Sequence, residues 1–441
     1  MTVASRGRIE NRWFLTQAHL RAIVVPVIGV LGALLAGRPD LLVMVAPLAM
    51  IAVWSSLARP RGAPEARFGV ARVVLTEGDT NLAVLDVSGL DGVELLSTSL
   101  ASTPWIDRRP RHGSRIALVT EDDVERGRVR LVTGADPIRW GAHAVGPMLV
   151  GAVGPWAAHS WGPVPLAERK IRVLPAPEAF DNSAPAPHPR GLVGQHTATR
   201  PGEGSEFNSV RPFQWGDRLK RINWARSSRT GELHVTSSYA DQDTHIALLV
   251  DAQVDLGRSE GAGGEASSLD RAQRSAAAIA EHFTRQGDRV SLQVITGYLP
   301  QRVPPGTGKR HARRILEVLS RAKPSTEYSF DPNRVRLGLP PGTLVVVVSA
   351  LVSPAMIVRA ASLAKSGLTV VAIDVLGEHF ETPEEWDRLD HLAWRIRMME
   401  REREILRVQQ AGVGVVPWRG PGSLDVVLRL LAQRGRTGAI R

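Results

Sequence analysis

Two runs without a charged side chain lie close to the start of the chain, and they constrain its fold more than any other feature. Ala22 to Gly37 is the first, between Arg21 and Arg38, and Leu41 to Ala58 is the second, between Asp40 and Arg59. At about 1.5 Å of rise per residue, helices of those lengths reach roughly 24 and 27 Å, slightly short of a ~30 Å hydrocarbon layer. The first lengthens backward through Trp13, Phe14 and Leu15 if Arg21 snorkels, and Trp13 and Trp54 suit the membrane–water boundary. Gly37-Arg38-Pro39-Asp40 joins the runs as a turn, so the pair reads as a two-helix transmembrane hairpin. A cleaved signal peptide is the rival for the first run, but Ala33-Leu34-Leu35-Ala36 lacks small-x-small spacing and a second apolar run follows at once.

A hairpin returns the chain to the side of the membrane it left. Arg6, Arg8, Arg12 and Arg21 precede it and Arg59, Arg61, Arg67 and Arg72 follow it, against Arg38 alone in the turn. By the positive-inside rule both flanks are cytoplasmic, which predicts a two-pass protein of the cell membrane with cytoplasmic soluble domains and with membrane lipid as a partner. The charge balance agrees, because residues 1–75 supply +6 of the net +11, nine arginines standing against Glu10, Asp40 and Glu65. The absence of cysteine excludes disulfides, thiolate metal sites and cysteine nucleophiles.

With 441 residues there is room for two or three domains with cores of their own. The pattern divides into a basic tail and hairpin (1–62), a β-rich domain (63–175), a proline-rich linker (176–204), a basic and aromatic segment (205–241), an α/β domain (242–436) and a short basic tail (437–441). In the β-rich part, β-prone runs such as Leu82 to Val87, Arg128 to Val132 and Lys170 to Leu174 alternate with turns at Gly78-Asp79, Asp91-Gly92 and His112-Gly113, which predicts a small β-sandwich. Trp105, Trp140, Trp156 and Trp161 are expected to serve packing.

Residues 206–235 read EFNSVRPFQWGDRLKRINWARSSRTGELHV. Glu206 to Phe213 is strand-like, Trp215-Gly216 turns, and Asp217 is placed to cap a short helix that buries Leu219, Ile222 and Trp224. Asp217 is expected to satisfy backbone donors or the guanidinium of Arg211, Arg221 or Arg229, whereas Arg218 and Lys220 form an outward docking face. Six basic side chains interleaved with Phe213, Trp215 and Trp224 also match single-stranded nucleic-acid binding, but a segment this short in a membrane-anchored chain reads as packing or protein docking, so no nucleic acid is expected. The run resembles the hallmark of the domain of unknown function 58 family, matching it at Glu206, Arg211, Gly216, Asp217, Arg221, Ile222, Trp224, Ser227 and Arg229, with Phe213 for the usual tyrosine and Ser228 for the usual alanine. That resemblance implies the layout of hairpin, β-domain, signature and von Willebrand factor A-like domain. It also implies a MoxR-type AAA+ ATPase, encoded nearby, as partner.

From His245 onward, apolar strands alternate with helices, as in Leu344-Val345-Val346-Val347-Val348, which predicts a mostly parallel, doubly wound sheet covered on both faces. Ligands of such sheets sit at the carboxyl ends of the strands. The resemblance implies a magnesium site there, built on D-x-S-x-S and a second aspartate, but this chain has Asp251-Ala252-Gln253-Val254-Asp255, and Ser349-Ala350-Leu351 where that aspartate belongs. Asp251, Gln253 and Asp255 are therefore vestigial candidates for magnesium, and no cofactor is expected. Pro304-Pro305-Gly306-Thr307-Gly308-Lys309-Arg310 imitates a phosphate loop but lacks the first glycine and the Ser/Thr, so nucleotide binding is not expected. With no nucleophile and base pair in view, the expectation is a non-enzymatic, membrane-tethered interaction or scaffold protein. The alternatives are a magnesium-dependent ligand-binding module or a hydrolase.

Overall fold

The computed structural model describes residues 12–60, 62–178, 197–215, 217, 219–241, 245–296, 300–324, 337–340, 342–376 and 385–420. The chain forms two compact units, the first comprising residues 1–174 with 261–263 and the second the remainder. It is a mixed α/β protein with two apolar N-terminal helices and several sheets.

The two helices span Gln17–Ala36 and Asp40–Leu57. Thr16 caps the first by accepting the His19 N–H, and Gly37, at φ 63°, ends it with its own N–H on the Ala33 and Leu34 carbonyls. Both are long and apolar enough to cross a membrane, and only 17% and 11% of their most apolar stretches are buried within the protein. Val27, Ile28, Leu35, Val43 and Met44 all face outward.

In the rest of the first unit, a five-stranded antiparallel sheet runs Phe14–Leu15, His159–Leu166, Met148–Val153, Leu95–Leu100, Ser114–Leu118 from edge to edge. A four-stranded sheet orders Glu65–Val70, Leu82–Ser88, Arg128–Pro137, Ile106–Arg109, and a three-stranded one orders Val74–Thr76, Arg169–Leu174, Gly141–Val145. Alternate residues of these strands share one core, including Phe68, Leu85, Leu96, Met148, Val150, Trp161 and Val173. Trp140 and Trp161 pack as expected; Trp156 does not, being 63% exposed.

The second unit opens with an antiparallel pair, Thr197–Pro212 against His234–Asp241, which places Arg211 opposite Val235. The strand therefore begins inside the stretch expected to be linker; residues 179–196 lie outside the described residues. A six-stranded sheet follows in the order Gln301–Gly306, Arg289–Ile295, His245–Asp251, Leu344–Ser349, Thr369–Asp374, Gly414–Pro417, parallel throughout except for its first strand. Helices Ser268–Gln286, Gly308–Leu319, Pro354–Lys365 and Arg388–Gln410 connect the strands. The proline-rich imitation of a phosphate loop is the end of the Gln301–Gly306 strand running into a helix through Thr307. The helix expected at Ser423 to Gln433 lies outside the described residues.

Ser268–Gln286 illustrates how sequence sets these helices. Ser267 accepts the Asp270 N–H while the Asp270 carboxylate accepts the Ser267 N–H, and Gly287 closes the other end at φ 96°. Leu269, Ala272, Ala276, Ile279 and Phe283 are all buried along one stripe. Because the cap itself is buried, Ser267→Ala is expected to lower stability by about 1 to 2 kcal/mol, with Ser267→Thr close to wild type. Thermal unfolding checks this, and equal midpoints for the alanine and wild-type chains would refute it.

Candidate functional site: the signature segment and the carboxyl ends of the strands

In the signature segment, the carboxylate of Asp217 receives both arms of the Arg211 guanidinium, Nη2 to Oδ1 at 2.6 Å and Nη1 to Oδ2 at 2.8 Å, and accepts the Gln214 N–H at 2.8 Å. Together these bonds fasten the end of one strand to the turn that follows it. They hold the Asp217 carboxyl below its ordinary range, the Arg211 contact first and the Gln214 N–H second. The side chains of the pair remain 35% and 18% exposed, so the pair fixes a turn more than it fills a core. Arg211 is thus the partner of Asp217 among the three arginines named from sequence.

Two expectations are corrected here. Asp217 caps no helix: a 3-10 turn, Leu219–Arg221, comes next, and the helix Trp224–Thr230 is capped by Asn223, whose side chain accepts the Arg226 N–H at 3.1 Å. The helical period therefore starts six residues later than the reading from Asp217 assumed, which leaves Leu219 and Trp224 70% and 68% exposed and only Ile222 buried. Ser227 is buried and bridges the segment, donating to the Asn223 carbonyl at 2.8 Å and accepting the His234 N–H at 2.9 Å. Gly231, at φ 74°, ends the helix. Lys220, Arg226 and Arg229 are exposed, Arg221 is half-buried, and Trp215 is wholly exposed. Gly216 and Arg218 lie outside the described residues, and Glu206 is on the Thr197–Pro212 strand.

At the carboxyl ends of the parallel strands, register brings three polar side chains side by side. Asp251 ends one strand, Ser349 the next and Asp374 the one after, Ser349 lying directly across from Asp374. The Ser349 hydroxyl donates to Asp251 Oδ2 at 2.7 Å and accepts the Leu351 N–H, while Asp251 Oδ1 accepts the Gln253 N–H at 3.1 Å. Burial raises the Asp251 carboxyl above its ordinary value, and these two hydrogen bonds only partly oppose that. Asp255 Oδ1 accepts the Leu269 N–H at the start of the long helix, and Gln253 is buried. Each of the three vestigial metal candidates is thereby engaged within its own fold.

Sequence reasoning missed Asp374 and its partner. Arg401, from the helix Arg388–Gln410, forms an ion pair with Asp374 at 2.5 Å and donates to the Ala350 carbonyl at 3.0 Å. Arg397 reaches the Val352 carbonyl and Glu404. Two arginines therefore clamp the loop after Ser349, in the place where the resemblance implies a second metal-binding aspartate. An acid closing an apolar strand, as in Thr369–Asp374, is the signal that marks Asp374; Arg401 carries none, being one of many arginines on a polar helix.

At the opposite, amino-terminal ends of the strands is a cavity of about 590 Å³ lined by His245, Ser291, Gln293, Arg289, Arg302 and Thr343, among others. His245 contacts the Ser291 hydroxyl at 2.9 Å through Nε2 and Thr343 Oγ1 at 3.2 Å through Nδ1. Burial, and secondarily the charge of Arg289, push the His245 pKa down, which keeps the ring neutral between its two hydroxyl partners.

The architecture and the Arg211–Asp217 turn define a mixed α/β protein whose most specific sequence lies in the second unit. Residues 209–383 match the family described as protein of unknown function DUF58. Uncharacterized proteins of Mycobacterium tuberculosis and Mycobacterium bovis are each 30% identical over 188 residues, 42% of this chain and 52% of theirs. The chain thus spans about half the length of the curated relatives it matches.

Asp251 distinguishes two roles. As a structural acceptor it tolerates Asp251→Asn, with an unfolding midpoint at pH 7 equal to or above wild type because a buried charge is gone. Asp251→Ala strands the Ser349 hydroxyl and the Gln253 N–H, at a cost of about 1 to 3 kcal/mol. Magnesium at millimolar concentration should shift neither midpoint. A magnesium-dependent rise in the wild type that Asp251→Asn abolishes would establish the metal role instead.

His245 gives a pH dependence of definite sign. Its folded pKa lies below the unfolded value near 6.5, so its contribution is complete above that value and is lost as pH falls through the folded one. Between pH 7.5 and 5, wild type should therefore lose thermal stability more steeply than His245→Gln. Parallel slopes for the two chains would refute this.

Proposed function

We propose that the protein is a non-enzymatic, membrane-anchored interaction module, held by a two-pass helical hairpin with its soluble parts in the cytoplasm. The exposed apolar helices and the arginine distribution around them support the anchor and its orientation. The order of the six-stranded sheet, with one antiparallel edge strand, supports a von Willebrand A-like reading of the second unit. The engagement of Asp251, Asp255 and Ser349 in hydrogen bonds of the fold supports a role for that sheet end as architecture in place of a magnesium shell.

One observation carries the docking assignment. Trp215, Leu219 and Trp224 are exposed within ten residues of one another, among Lys220, Arg226 and Arg229, on a backbone fastened by the Arg211–Asp217 bonds. Exposed aromatic side chains mixed with arginine are the composition of a protein interface. The partner class is the MoxR-type AAA+ ATPase implied by the sequence resemblance, together with the complexes such an ATPase remodels.

A triple variant, Trp215→Ala, Leu219→Ser and Trp224→Ala, should keep the wild-type unfolding midpoint while its affinity for the purified neighbouring ATPase falls at least tenfold, about 1.4 kcal/mol. Arg211→Ala should lower the midpoint as well. Undiminished ATPase binding by a folded triple variant would remove the docking role from this face. For the anchor, a reporter fused after Arg61 should read cytoplasm and one in the Arg38 turn should read the outside.

A further inference from the structure

At one end of the helix pair a groove of about 650 Å³ is lined by residues that precede the first helix and residues that end and follow the second. Arg12, Trp13 and Phe14 of the incoming chain and Leu57, Arg59 and Pro60 of the outgoing chain line it. The Trp13 indole donates to the Gly62 carbonyl at 2.7 Å, which ties the incoming and outgoing chain together across it.

Its charge is what distinguishes it. Arg12 and Arg59 are both exposed, and neither forms an ion pair with a described residue. At the other end of the helices the single arginine is neutralised, Arg38 meeting Asp40 at 2.7 Å. Two guanidinium groups lining one groove, without an ion-pair partner among the described residues, present planar donor forks of the kind that fit phosphate oxygens.

Its depth follows from the groups around it. Phe14 and Leu15 are 56% and 55% exposed beside the groove. Thr16, the cap of the first helix, donates its hydroxyl to the Ala157 carbonyl at 2.6 Å and its N–H to the Ala158 carbonyl at 3.0 Å. The loop carrying exposed Trp156, whose backbone holds φ 58°, is therefore fixed at the helix start. Tryptophan and phenylalanine outside an apolar span, next to arginine, mark the headgroup layer of a bilayer.

We propose that this groove binds the phosphate of an anionic phospholipid headgroup between Arg12 and Arg59. The proposal rests on the reading of the two helices as membrane-spanning. The apolar wall at Phe14 and Leu57 receives the start of the acyl chains, which separates a lipid phosphate from a free one.

The test uses the full chain reconstituted in nanodiscs of phosphatidylcholine with phosphatidylglycerol, followed by extraction into mild detergent and mass measurement of retained lipid. Wild type should retain phosphatidylglycerol over phosphatidylcholine. Arg12→Gln and Arg59→Gln should each reduce that retention about fivefold, following ~1 kcal/mol per basic residue at an anionic surface, and Arg38→Gln should leave it unchanged. Because the chain has no cysteine, an environment-sensitive label on Ile28→Cys reports insertion independently. A label in lipid with equal retention by wild type and the double variant overturns the headgroup site while the spanning reading stands. A label in water overturns both. Displacement of the lipid by millimolar inorganic phosphate, with equal loss in the arginine variants, would assign the groove to free phosphate and overturn the lipid assignment.

Discussion

Every residue of Leu344–Ser349 is buried, and the second unit is built around that fact. A strand covered on both faces can satisfy its backbone only through neighbouring strands on both edges, and it can exclude water only through helices above and below. His245–Asp251 and Thr369–Asp374 supply the edges, both parallel, and parallel neighbours demand crossovers long enough to be helices. Hydrophobic burial thus dictates the doubly wound arrangement. One consequence is polar: the strands end together, so whatever side chains close them are delivered to the same place. Asp251, Ser349 and Asp374 meet there through register alone.

What those side chains do there is decided by their surroundings. A carboxylate drawn out of water is costly unless its oxygens are occupied, and the two acids at these strand ends are satisfied differently. Asp251 takes neutral donors, a serine hydroxyl and a backbone N–H, and its pKa rises. Asp374 takes the guanidinium of Arg401, which opposes only part of the burial that raises its pKa. The same arginine binds the Ala350 carbonyl, so the charge that neutralises one strand end also orders the loop leaving the next.

The legible parts of the sequence were those where one physical demand dominates over many residues. Uninterrupted apolar runs gave the two N-terminal helices and the central strands, and the stripe at Ala272, Ala276, Ile279 and Phe283 gave the face of the long helix. Local exceptions hid the rest. Gln301–Gly306 contains Pro304 and Pro305, which argue against a strand unless it is an edge, and it is the antiparallel edge of the sheet. His159–Leu166 is interrupted by Gly162-Pro163 and was unreadable as a strand for the same reason. In the signature, Ile222 was correctly placed inside, but the misplaced helix start reversed Leu219 and Trp224. Asn223 is the cap of the helix, and Asp217 is held in the preceding turn by its pairing with Arg211. Arg401 was invisible because its function depends on a contact with Asp374 that no local pattern encodes.

The first unit is attached to its helices without slack. Phe14–Leu15 adds to the edge of the five-stranded sheet by pairing with Ser160 and His159, and Thr16 at once caps the first helix. On the return path Leu57 ends the second helix, Gly62 receives the Trp13 indole, and Glu65 already begins the next strand. Neither connection has a run of free residues in which to pivot, and each is cross-linked by hydrogen bonds to the other or to the 155–158 loop. A tether of glycine and serine would leave the attached domain to sample many orientations, and any partner that needed one of them would meet the entropy of selecting it. Here the ordering is done within the unit itself, by backbone pairing and caps formed during folding. Such a connection fixes the orientation of the first unit's sheets on the two apolar helices as well as their location, which a flexible tether does not.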